Sequence, residues 1–246
     1  MKKILVTGGS GDIGEAICRT LASSGAHVVL QYHQAQKRAQ AIAKEIKGHA
    51  LQADLASEVE IKKMIQQASK HLGGLEALIN VAGFPINKKT RSYWDLPFEK
   101  ISRKMFEDVF AIDTLGTISC IQAVLPIFKK QKFGKIINFA SSSALLGHNQ
   151  GYPFNVAKAG LINLTKSLAP ELGPYGITIN AIAPCSIRTH WLDHYPKHVE
   201  TQLKKKIPLG RLGTPEDVAQ LVSFLISTGG DWLTGQIYLM DGGETL

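Results

Sequence analysis

The chain has 246 residues, 44% of them hydrophobic, and a formal charge of +8. That is enough apolar material for a full α/β core, and no uninterrupted apolar run approaches the roughly 18 residues of a membrane span. The lysines at Lys129, Lys130, Lys132, Lys135 and Lys204 to Lys206 read as solvated faces or as an attraction for a phosphorylated or acidic partner; no nucleic-acid-binding motif accompanies them.

In chain order, a strand is expected at 3–7. Ile4, Leu5 and Val6 are too few apolar residues for a signal-peptide core. A helical pattern at 13–24 leads to a strand at 27–32, a helix at 35–47 and a strand at 49–53. A helix at 59–72 and a strand at 77–80 follow, then a long helix at 106–130 and a strand at 135–140. The series closes with a helix at 153–172, a strand at 178–182, a helix at 215–227 and a strand at 236–240. Several strands are continuously apolar, as parallel strands covered on both faces must be. The alternation predicts an α/β chain: one doubly wound, Rossmann-type domain over 1–246. Its parallel seven-stranded sheet carries helices on both faces. Ligands then bind at the carboxyl ends of the strands. Cys18, Cys120 and Cys185 are odd in number and lack metal-ligand spacing, which predicts reduced thiols, no metal site and a cytoplasmic protein.

The first turn, "LVTGGSGDIGEAI", joins strand to helix. Glycine lets the backbone approach a pyrophosphate, and a helix N-terminus offers free N–H groups and a positive dipole end. The glycines are Gly8, Gly9, Gly11 and Gly14, so the strict G-x-G-x-x-G spacing is absent. A glycine-rich stretch can be merely a tight turn, but its place between the first strand and the first helix raises its weight as a phosphate cradle.

The order of motifs is more specific. "TGGSGDIG" is followed by "ADL", "NVAG", a serine after the fifth strand, Lys158, "NAIAP", "PLGRLGTPEDVA" and "DGG". This series resembles the classical short-chain dehydrogenase/reductase family, and most of all its 3-oxoacyl-[acyl-carrier-protein] reductase branch. The resemblance implies a homotetramer acting on a small-molecule or carrier-bound ketone, with an acidic acyl carrier protein as a possible partner and a substrate lid around 186–210. It places the cofactor against Gly8, Ser10, Gly11, Asp12, Ile13 and Gly14. Tyr32, His33, Asp54 and Leu55 flank the adenosine end, and Asn80, Ala82 and Gly83 follow. Lys158, Pro184, Ile187 and Thr189 belong to the nicotinamide end. Asp12 stands where the family has a glycine, so its carboxylate is expected to point away from the pyrophosphate. No carboxylate follows the second strand at Gln31, Tyr32 and His33, and Lys37 and Arg38 come next, which points to NADP rather than NAD.

The family's catalytic set is a tyrosine that donates a proton, a lysine one turn later, a serine and an asparagine. Ser141 and Lys158 match. Asp113 stands at the asparagine position and Phe154 at the tyrosine position. A phenyl ring donates no proton, and a positioned general acid is worth about 10²- to 10⁴-fold. Three readings stay open. Tyr152, expected just outside the helix, or His190 or His194 in the lid supplies the proton. The chain binds cofactor without turnover, as a sensor or supporting subunit. Or Phe154 is an engineered replacement.

Overall fold

Seven parallel strands form the centre of the computed structural model, which describes residues 2–194 and 196–246, without the side chains of His194 and Lys197. They are β1 (Lys3–Thr7), β2 (His27–Tyr32), β3 (His49–Gln52), β4 (Ala77–Asn80), β5 (Gly134–Phe139), β6 (Ile177–Pro184) and β7 (Ile237–Met240). Their order across the sheet is β3-β2-β1-β4-β5-β6-β7. β4 and β5 are buried along their whole length, so their apolar residues, Ala77, Leu78 and Ile79 and then Ile136 and Ile137, run consecutively rather than alternate, with Asn80, Lys135 and Asn138 as buried polar residues beside them.

Side chains alternate across the sheet and feed two cores. Ile4 and Val6 join Ile17 and Leu21 of α1 (Asp12–Ser23) and Val218 and Val222 of α10 (Pro215–Ile226). Leu5 and Leu78 face the other way, towards Met64 and Ile65 of α3 (Glu58–Leu72) and Val124 and Phe128 of α6 (Thr117–Gln131). Each such side chain contributes roughly 1.5–3 kcal/mol by leaving water. The fold is therefore the Rossmann-type architecture, with helices on both faces of a parallel sheet. The remaining helices are α2 (Gln36–Glu45), α4 (Ser92–Asp95), α5 (Arg103–Phe110), α7 (Ser142–Leu146), α8 (Tyr152–Leu172) and α9 (Lys197–Lys206).

Three expectations change. The long helix at 106–130 is two helices, α5 and α6, joined by a π turn at Ala111–Gly116. Their combined path, Arg103–Gln131, is long and apolar enough to cross a membrane by composition, which the sequence reading had not expected. Cys120, Ile121, Val124 and Phe128 of its apolar stripe pack in the core with sheet residues such as Leu78 and Ile136, and Val109 is buried. Finally, α8 begins at Tyr152, with Gly151 at its N-cap. Tyr152 is thus inside the helix, and its direction is set by helix geometry. It lies two residues from Phe154, about 200° around the axis, and its ring packs edge-on against Phe98 at 5.2 Å.

Candidate active site

The carboxyl ends of β1, β4 and β5 converge on one edge of the sheet, where the chain order reverses between β1 and β4. This is where open α/β sheets bind ligands. β1 hands the chain through a tight turn to α1. Gly8 donates its N–H to Oε1 of Gln31 at 2.8 Å, and Nε2 of Gln31 donates to the carbonyl of Ala53 at 2.7 Å. One buried amide thus braces the turn against the ends of β2 and β3. A Cβ on Gly14 would lie 2.2 Å from the carbonyl oxygen of Gly8, so only glycine fits there. The N-cap of α1 is Gly11, and no side chain caps it. The first-turn N–H groups therefore keep their capacity for an anion.

A cleft of about 530 Å³ opens over this turn. Gly8, Ser10, Gly11, Asp12, Ile13 and Gly14 form its floor. Tyr32 and His33 stand at one end with Asp54 and Leu55, and Ala82, Gly83 and Thr189 at the other. Gln31 also lines it, as do Pro85 and Ile112, which no motif marks. The uncapped helix end and the close-packed glycine fit a pyrophosphate, and the cleft runs on from it to Tyr32 and Asp54 on one side and Thr189 on the other, which suits a dinucleotide.

Four of the residues expected to hold the cofactor lie outside this wall. Asn80 is buried, and its Nδ2 donates to Oδ1 of Asn138 at 3.0 Å; Asn138 in turn donates to Oγ1 of Thr165 at 3.0 Å. This chain of hydrogen bonds ties β4 to β5 and α8. Pro184 ends β6. Ile187 is buried in a bridge to Gly213. Lys158 belongs to the reaction end described below.

Asp12 does turn aside, and it turns to named partners. Its Oδ2 accepts the backbone N–H of His190 at 2.7 Å, while Oδ1 lies 2.6 Å from Nδ1 of His190 and 2.9 Å from the Arg38 guanidinium. Burial raises the Asp12 pKa, but the His190 backbone N–H, Arg38 and the His190 ring outweigh it and hold the carboxyl below its ordinary range. Arg38 also pairs with Glu15 at 2.6 Å. It therefore lines a neighbouring polar hollow of about 360 Å³ rather than the dinucleotide cleft, which removes it as a preformed contact for a ribose phosphate. His190 likewise meets Asp12 at the cradle. The side chain of His194, the other histidine considered as an acid, lies outside the described residues.

At the reaction end, β5 delivers Ser141, whose Oγ accepts the N–H of Ser143 at 3.3 Å and lies 2.9 Å from its hydroxyl. Phe154 and Lys158 share one face of α8 at i and i+4. The ammonium of Lys158 lies 5.6 Å from the centre of the Phe154 ring. It also lies 3.1 Å from Oδ2 of Asp113. Lys158 is 4% exposed and Asp113 0%, so solvent hardly screens the pair. Oδ2 has no aligned hydrogen-bond donor, which makes this an ion pair by proximity; Oδ1 accepts the N–H of Phe84. The Asp113 carbonyl accepts the Thr117 hydroxyl at 2.8 Å. The π turn aims Asp113 inward.

Beside Phe154 sits Trp94 from α4. Its ring meets Phe154 at 5.7 Å, Trp191 at 5.5 Å and His148 at 5.7 Å. Gly151 makes room for it: a Cβ there would lie 2.4 Å from the indole, and the backbone is left-handed with φ 65°. No motif marks Trp94 in the sequence; only its packing against Gly151 does.

The profile of the family described as enoyl-(acyl carrier protein) reductase matches residues 9–245. The 3-oxoacyl-[acyl-carrier-protein] reductase of Staphylococcus aureus is 35% identical, over 98% of this chain and 97% of its own length. That of Aquifex aeolicus is also 35% identical, over 98% and 96%. A short chain dehydrogenase from Burkholderia cenocepacia, solved in complex with NADP, superposes with a TM-score of 0.88 at 28% identity, covering 100% of this chain and 98% of that one. With matches along nearly its whole length, an oxidoreductase's sheet and a dinucleotide-shaped cleft at the switch point, the chain belongs to the short-chain dehydrogenase/reductase family.

Proposed function

We propose that the chain is an NADP(H)-dependent reductase, one domain throughout, whose acceptor is a 3-oxoacyl group or a similar ketone. The observation that carries this reading is the cleft over the uncapped start of α1, braced by Gln31. Bound there, the cofactor supplies hydride. The floor from Gly8 to Gly14 holds the pyrophosphate, Asp54 and Leu55 border the adenine, and Thr189 holds the nicotinamide amide. His33 and Gln34, which follow β2 in the lining, carry no carboxylate, which suits a 2′-phosphate. The NADP complex of the Burkholderia protein and the acyl-carrier names of the relatives support the choice of cofactor and acceptor.

Ser141 polarises the carbonyl and Lys158 bonds the nicotinamide ribose. The segment 186–210 covers the acceptor, tied down through His190. Lys130 and Lys132 are exposed at the end of α6 and steer an acidic carrier protein. The exposed apolar side chains Leu115, Val156 and Leu239 suit assembly into a homotetramer. Phe154 lowers the rate with ketones, since no phenol stands there to protonate the alkoxide.

Fluorescence titration tests the reading. NADPH is expected to saturate the protein more tightly than NADH, and failure to saturate at millimolar NADPH rejects it. The missing phenol also favours a second reading, binding without turnover: saturable NADPH binding with no NADPH oxidation by any acceptor supports that one.

A further inference from the structure

Two changes at the reaction end act in the same electrostatic direction. Reduction of a ketone builds negative charge on oxygen. A site for that chemistry needs a proton donor and an unpaired positive charge. Here the donor position is Phe154, and the Lys158 ammonium is matched by the Asp113 carboxylate at 3.1 Å in a dry setting. The pair has no net charge to offer an alkoxide. What borders Phe154 is aromatic: Trp94 makes edge or tilted contact with Phe154, Trp191 and His148. Ring faces carry partial negative charge and attract cations, as the Phe154 ring already does with Lys158.

From this arrangement we infer that the acceptor site also takes a planar organic cation, an iminium, and that its reduction is the chemistry for which no acid is required. The inference rests on the dinucleotide reading and adds a substrate class to it. The step balances without a proton. Hydride from the reduced nicotinamide forms a C–H bond at the iminium carbon. The C=N π pair becomes the nitrogen lone pair, and the products are a neutral amine and the oxidised dinucleotide. Positive charge is lost from the acceptor and none of the opposite sign develops, so the neutralised lysine costs this reaction nothing. The ring faces of the Trp94–Phe154 cluster attract the cation, and Asp113 cancels the Lys158 charge that would otherwise repel it.

The test uses N-methyl dihydroisoquinolinium, whose charge is permanent, against tetralone, a neutral ketone of similar shape. In the cofactor-free protein, the cation is expected to quench tryptophan fluorescence saturably, at least tenfold more tightly than tetralone, and Trp94→Leu is expected to erase that difference. With NADPH present, the cation is expected to be reduced faster than the ketone by about the 10²- to 10⁴-fold worth of the missing general acid. That rate is expected to stay flat across the neutral pH range. Equal binding of the two compounds, cation binding without NADPH oxidation, or faster reduction of tetralone each overturns the inference. NADPH titration of the same preparation keeps the two readings apart. Normal NADPH saturation with any of those results removes only the cation site, whereas absent saturation removes the reductase reading itself.

Discussion

Lys158 and Asp113 form a buried ion pair, 3.1 Å apart, at the position where the family's lysine serves its tyrosine. The pair links the two departures from the family's catalytic set. A lysine that no longer serves a phenol loses its aromatic partner's oxygen, and the carboxylate supplies the missing counter-charge.

Restoring the phenol alone should therefore restore little. Phe154→Tyr places a hydroxyl on the face shared with Lys158, but Asp113 still competes for the ammonium. The gain in NADPH oxidation with a 3-oxoacyl thioester is expected to be small for Phe154→Tyr. It is expected to approach about 10²- to 10⁴-fold only when Asp113→Asn is added. Steady-state rates of the four proteins of this cycle check the coupling; a full gain from the single change refutes it.

Gly14→Ala drives a methyl against the Gly8 carbonyl, 2.2 Å away. The turn cannot keep its shape. NADPH binding is expected to be lost, and thermal unfolding is expected to show a destabilisation of about 1–3 kcal/mol from overpacking.

The Asp12 carboxyl is held below its ordinary value of 3.8 by His190 and Arg38 despite burial. A depressed carboxylate contributes stability that is complete above the unfolded value and lost as pH falls through the folded one. Asp12→Asn should thus cost about 1 kcal/mol at neutral pH, a modest figure because His190 and Arg38 are largely exposed. Below the ordinary carboxylate range the two proteins should converge, as denaturant melts at neutral and acid pH would show.

Charge reversal at Lys130 and Lys132 should weaken binding of an acidic acyl carrier protein and flatten its dependence on salt. Lys129 is left intact in this variant because it pairs with Glu171 at 3.2 Å and lies 4.8 Å over the Tyr175 ring. Calorimetry at two ionic strengths reads the effect, and unchanged affinity removes the docking face.

The sheet was legible because a strand buried on both faces writes itself as consecutive apolar residues, as in Ile4-Leu5-Val6 of β1 and Ala77-Leu78-Ile79 of β4. The cradle and the positions of Ser141 and Lys158 were legible because motif order reports them. The partners of Asp12 and Arg38 were not: His190 lies 178 residues from Asp12, and no local pattern joins them. Tyr152 was misplaced because Pro153 looked like the first helical residue, whereas it is the second. Trp94 left no trace either, since α4 is a four-residue helix in a polar loop and its place is set by the space above Gly151. The π turn was hidden because an inserted residue preserves composition while changing phase.

That phase has its own consequence. A π turn holds one residue more than a regular helix allots to the same turn, so α5 and α6 are rotated out of step by about 100°. The extra residue lets two clocks run at once: Asp113 keeps time with Lys158, while Cys120, Val124 and Phe128 keep time with the sheet. Deleting any one residue of 111–116 would force a choice between them. Holding the apolar stripe in place would swing the carboxylate away from the lysine, and holding the carboxylate would turn polar α6 residues such as Gln122 towards the core. The ion pair and the packing of α6 are thus joined by a single surplus residue.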